Sequence, residues 1–123
     1  MKQFETREEL LQDAINYFWG KPERWCVKDG NTNLCQYIPN ATSEGCAIGR
    51  LLPIEVTQSL PNKSVQEVFN ELPEWMQKLG ANFLGLVQEC HDFQVFATKD
   101  EDQVFNRLSG YVDMTKIVFP SNN

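Results

Sequence analysis

Hydrophobic residues return along most of this chain at intervals of three and four, the spacing of one face of an α-helix. Thr6-Arg7-Glu8-Glu9 is a capping box, and Leu10, Leu11, Ala14, Ile15 and Phe18 follow it on a single face. A first helix is therefore expected to run to about Phe18, where Gly20 and Pro22 stop it. A second box, Ser64-Val65-Gln66-Glu67, opens a helix with Val65, Val68, Phe69 and Leu72 on one face. Pro73 then starts a short helix at its first position, carrying Trp75, Met76 and Leu79 and ending at Gly80. From Asn82, the series Phe83, Leu84, Leu86, Val87 and Cys90 predicts a well-buried helix that ends near His91 or Asp92. Asp100, with Gln103 three residues on, caps a last helix expected to bury Val104, Phe105, Leu108, Tyr111 and Val112.

The helical period breaks between these elements. Trp25-Cys26-Val27-Lys28 and Leu34-Cys35-Gln36-Tyr37-Ile38 flank the turn-rich run Asp29-Gly30-Asn31-Thr32-Asn33 and predict two short strands around a loop. Pairing Lys28 with Asn33 would set Cys26 opposite Cys35. Ser43 is a natural N-cap for a short helix carrying Cys46, Ile48, Leu51 and Leu52 until Pro53, and Ile54 to Leu60 could add a turn or two. The expected fold is mainly α: a compact bundle of five or six helices with a small β-hairpin near residues 25–38. No repeat or linker divides the chain, so residues 1–123 are expected to form a single globular domain.

Composition supports a packed core, since 41% of the residues are hydrophobic and 11% aromatic, too many to leave in water. Charge narrows the partners. With 17 acidic and 11 basic side chains the formal charge is −6, which repels phosphate backbones and anionic lipid headgroups, so no nucleic-acid or membrane partner is expected, while a basic partner protein or mimicry of a nucleic acid stays allowed. No apolar run approaches the roughly 20 residues that span a bilayer, and the first residues lack the apolar stretch of a signal peptide. A cytoplasmic location is expected, where four cysteines read as thiols, ligands or core residues before they read as disulfides.

Chemistry concentrates at Ser43-Glu44-Gly45-Cys46-Ala47-Ile48-Gly49-Arg50, which puts a thiol in the first turn of the expected short helix. Unpaired N–H groups and the helix dipole favour thiolate there. His91 is the single histidine, so a cysteine-dependent hydrolase or transferase would have to use Cys46 as nucleophile and His91 as base. Two features oppose that pairing. His91 sits in or at the end of an apolar helix, and Asp92, about 100° further round, is not expected to orient it unless the helix ends between them. The structural alternative makes Cys46 a small core residue, with Gly45 and Gly49 allowing close packing. Zinc is a further alternative through Cys26, Cys35, Cys46 and His91 or Cys90, although eight residues separate the first two cysteines and ten the next, without a Cys-x2-Cys knuckle. A His-Asp phosphohydrolase centre would need further histidines, and there are none.

Trp25-Cys26, Cys46-Ala47-Ile48-Gly49-Arg50-Leu51-Leu52 and Leu86-Val87-Gln88-Glu89-Cys90-His91-Asp92 occur in the order in which small bacterial and phage proteins carry Trp-Cys, Cys-Ala-x-Gly-x-Leu and Leu-x-x-x-x-His-Asp. The chain resembles that family over residues 25–92. It departs where a small residue often follows the glycine and Arg50 stands instead. The family has no settled activity, so the resemblance implies a small helical domain of bacterial or phage origin and carries over no catalytic residue. The preferred reading is a non-enzymatic protein-interaction module, with the Cys46/His91 enzyme as its alternative.

Overall fold

The computed structural model describes residues 3–24, 47–52, 56 and 65–120. Among these residues it is mainly helical and contains no strand. Five whole α-helices lie among the described residues: α1 (Arg7–Phe18), α2 (Val65–Val68), α3 (Glu74–Gln77), α4 (Ala81–Asp92) and α5 (Glu101–Leu108). Four short 3-10 turns accompany them, at Pro22–Arg24, Gly49–Leu51, Phe69–Glu71 and Met114–Lys116. The expected hairpin at 25–38 lies outside the described residues, as does nearly all of the 54–60 segment. Helix α4 occupies the centre and packs against α1, α2 and α5.

Helix α1 starts where its capping box says it should. The Glu9 N–H donates to Thr6 Oγ1 at 3.2 Å and the Thr6 N–H donates to Glu9 Oε1 at 3.2 Å, satisfying two donors the first turn would otherwise leave open. Its five anticipated core residues, Leu10, Leu11, Ala14, Ile15 and Phe18, are all buried. Trp19 closes the helix through its N–H to the Ile15 carbonyl, and Gly20 follows at φ +67°, a conformation that suits a residue without a side chain. Arg7 then ties the start of α1 to distant segments. Its Nε donates to the Leu79 carbonyl at 2.8 Å and its Nη1 to the Tyr111 carbonyl at 3.3 Å, while the guanidinium lies over the rings of Phe83 and Tyr111. Gln12 holds the C-terminal segment along α1 by exchanging two 2.7 Å hydrogen bonds with the Val118 backbone.

Several boundaries shift for local reasons. Pro73 is the residue before α3 and not its first residue, because its extended ψ of 149° turns the chain before the helix begins. Helix α2 lasts four residues and tightens into the Phe69–Glu71 turn, yet Val65, Val68 and Leu72 still reach the core. The described part of the expected Cys46 helix is a turn at Ala47–Ile48 and the 3-10 turn Gly49–Leu51; Ile48, Leu51 and Leu52 are buried as anticipated, and Ala47 is buried with them. In α5, Asp100 caps through a 3.1 Å bond from the Gln103 N–H, and Val104 and Leu108 face inward. Phe105, expected inside, is 54% exposed, since one helical step of about 100° carries it off the stripe set by its neighbours.

Candidate functional site at the end of helix 4

The last turns of α4 put polar side chains on a face that is otherwise hydrocarbon. Leu84, Gln88 and His91 follow one another at i, i+4 and i+7, so the fold that buries Leu84 also buries the other two. Both are nearly sealed from solvent, His91 at 1% exposure. A buried polar group needs partners, and these form a continuous path. The Ile48 N–H donates to Gln88 Oε1 at 3.1 Å, Gln88 Nε2 donates to Asp92 Oδ1 at 2.9 Å, and the same Oδ1 lies 3.2 Å from His91 Nδ1. A carboxylate only accepts, so His91 Nδ1 carries a proton in this contact.

The objection that adjacent helical residues diverge does not hold at this position. His91 and Asp92 are the final two residues of α4, and the short Asp92 side chain curls back to the imidazole across the helix end. The chain beyond fixes that end: Phe93, Gln94 and Val95 donate to the carbonyls of Glu89, His91 and Cys90, with Gln94 in the left-handed region at φ +62°. On the other side the Phe18 ring of α1 packs against the imidazole with centroids 4.6 Å apart.

Phe18 also connects His91 to a charged pair. Arg50 Nη2 meets Asp13 Oδ2 at 2.6 Å, and the guanidinium lies over the rings of Tyr17 (4.6 Å) and Phe18 (5.8 Å). The Arg24 guanidinium lies 4.5 Å from the centroid of the same Tyr17 ring, and its Nη1 donates to the Tyr17 carbonyl near the end of α1. Cys90, next to His91 in sequence, faces away into hydrocarbon. Burial pushes its thiol up to about 12, which the nearby Arg107 offsets only in part, so it is neither nucleophile nor ready metal ligand.

Of the residues singled out from sequence, His91 joins this cluster, whereas Cys26, Cys35 and Cys46 lie outside the described residues. Three of the four suggested zinc ligands are thus beyond description, and no group of three or more His, Cys, Asp or Glu able to hold a metal occurs among the described residues. No motif marks Gln88, Arg50 or Asp13. The usable signal for Gln88 is a polar residue inside a buried stripe, and for Arg50 a charge between Gly49 and Leu51 in an apolar run. No helix among the described residues is long and apolar enough to cross a membrane. Comparison with protein-family models, with curated proteins and with solved structures finds no match to this chain.

Proposed function

We propose that this chain is a cysteine-dependent hydrolase or transferase in which His91 serves Cys46. The observation that carries the reading is the hydrogen-bonded path from the Ile48 amide through Gln88 and Asp92 to His91. It orients an imidazole by a carboxylate on Nδ1, and its far end grips the backbone two residues after Cys46.

In this reading Nε2 of His91 takes the Cys46 thiol proton, and the thiolate sulfur attacks an acyl carbon of the substrate. The resulting imidazolium, stabilised by Asp92, returns the proton to the leaving group as the acyl–leaving-group bond breaks and a thioester remains. Water or a second nucleophile then attacks the thioester, His91 accepting its proton and restoring the thiol. A cytoplasmic, reducing setting keeps the sulfur in the required state.

Peptide-mapped alkylation tests the assignment. Cys46 is expected to react with iodoacetamide at neutral pH faster than the same thiol in urea-unfolded chain, to lose that advantage in His91→Gln, and to lose part of it in Asp92→Asn. A native Cys46 no faster than the unfolded thiol would end the enzyme reading. The alternative would then stand, a non-enzymatic interaction module of bacterial or phage origin whose acidic surface steers a basic partner. Its support is apolar surface held in solvent, with Phe93 66% and Phe105 54% exposed.

A further inference from the structure

We propose that the groove between the residues leading into α1 and helix α3 binds an extended, proline-rich peptide segment that carries an arginine or a lysine. The groove encloses about 880 Å3 and is lined by Phe4 and Glu5 from the first segment and by Pro73, Glu74, Trp75 and Lys78 from the second. A space of that size takes a few peptide residues. Helix α3 leads directly into the start of α4, so the groove lies toward the opposite end of that helix from His91.

Rings, a donor and charge together select the occupant. Phe4 and Trp75 meet edge to face, with centroids 6.0 Å apart and planes at 72°, and both are only partly buried against the core. Apolar ring surface is thus left for a ligand. Proline segments stack on such aromatic walls, and being extended before they bind they lose little chain entropy. Trp75 Nε1 is buried and has no acceptor, whereas an enclosed indole N–H usually finds one. The carbonyls of an extended proline segment have no internal partners, and a small turn of the indole toward the groove would give its N–H to one of them. Charge then sets the sign of the ligand. Lys78 reaches Glu74 at 3.9 Å with both side chains exposed, and no hydrogen bond or ion pair engages Glu5 among the described residues. The groove keeps a net negative charge, which attracts a cationic side chain and repels an acidic one.

The test is a titration of the full chain, labelled with 15N, at constant ionic strength, following the Trp75 Nε1–H resonance. Three acetylated and amidated peptides serve as probes: Pro-Pro-Arg-Pro-Pro, the same peptide with glutamate for arginine, and Gly-Gly-Arg-Gly-Gly. The first is expected to move the resonance saturably, the glutamate peptide to leave it in place, and the glycine peptide to bind about tenfold more weakly or worse. Phe4→Ala is expected to weaken the first peptide about tenfold or more, and Glu5→Gln about twofold to fivefold, the range for an exposed charge. An unmoved Trp75 resonance, equal binding of either control peptide, or undiminished binding by Phe4→Ala would each overturn the proposal. A resonance that moves when the chain alone is diluted would assign the groove to a second copy and overturn it too. If Phe4→Ala fails to fold, the three peptides on the wild type and Glu5→Gln decide. An inert Cys46 in the alkylation experiment leaves this titration unchanged, so the two proposals fail separately.

Discussion

The two ends of α4 are buried to the same degree by different physics. Its first turns bury Phe83, Leu84 and Val87 among other hydrocarbons, where any well-fitting neighbour will serve. Its last turns bury Gln88 and His91, which hold their places through specific atoms of Ile48, Asp92 and Phe18. The apolar end gains stability from area removed from water. The polar end gains little net stability but is costly to break, since each group deprived of its partner stays buried and unsatisfied. Such an arrangement suits a site in which an imidazole must keep one orientation, and it explains why the polar groups gather at a helix end.

Truncating the apolar end gives the largest expected effect. Phe83→Ala should cost about 3–5 kcal/mol, combining lost transfer energy with the cavity that remains. Urea unfolding monitored by circular dichroism measures it. A cost under about 1 kcal/mol would mean that the α1–α4 contact collapses readily around the gap and that the comparison exaggerates the rigidity of that end. At the polar end, Gln88→Met nearly preserves volume while stranding the Ile48 N–H and removing a donor from Asp92. It should cost about 1–3 kcal/mol in the same assay, and hydrogen exchange at the Ile48 amide should accelerate more than at amides of α5. Equal acceleration everywhere would show that Gln88 supports the fold as a whole and not the 47–52 segment in particular.

This contrast also separates what the sequence makes legible. Caps and apolar stripes are local, so Thr6, Glu9, Asp100 and the faces of α1, α4 and α5 can be read from neighbours three or four residues away. The Phe105 error is instructive: an apolar residue next to the stripe looks like part of it until a packing partner is known to be missing on that side. The site is built from contacts across 40 residues, as from Ile48 to Gln88, and 37 residues, as from Asp13 to Arg50. No periodicity encodes those. His91 was visible as the sole imidazole, but its pairing with Asp92 depends on how the helix ends, which is set by the Phe93–Val95 backbone.

Cys90 and His91 sharpen the comparison at the level of single residues. The Cys90 thiol is raised from its ordinary 9.0 to about 12 by burial, so the native state holds a proton that the unfolded chain releases first. Its contribution is complete below pH 9 and is lost as the pH rises from 9 toward 12, with a limiting slope of about 1.4 kcal/mol per pH unit. The difference in unfolding free energy between the wild type and Cys90→Ala, measured from pH 8 to 10.5, should therefore shrink with rising pH. A difference that stays level would show that water reaches this sulfur and that the interior of α4 is less dry than its packing implies. Iodoacetamide should likewise leave Cys90 untouched in the folded chain at neutral pH.

The smallest expected effect lies one residue past the polar end. Phe93 follows Asp92 yet is 66% exposed, and its ring takes the Arg107 guanidinium at 5.6 Å, while Arg107 also pairs with Glu89 at 2.8 Å. A solvent-facing cation–π contact contributes about 0.5 kcal/mol, and surface substitutions away from buried features usually stay within that range. Phe93→Ser should thus shift the unfolding free energy by no more than about 1 kcal/mol and leave the His91 side-chain resonances in place. A loss above about 2 kcal/mol, or movement of those resonances, would mean that the Phe93 side chain helps close the end of α4. The boundary between the enclosed imidazole and the solvent would then run outside Phe93, and the orientation of His91 would depend on the surface as well as on Gln88 and Asp92.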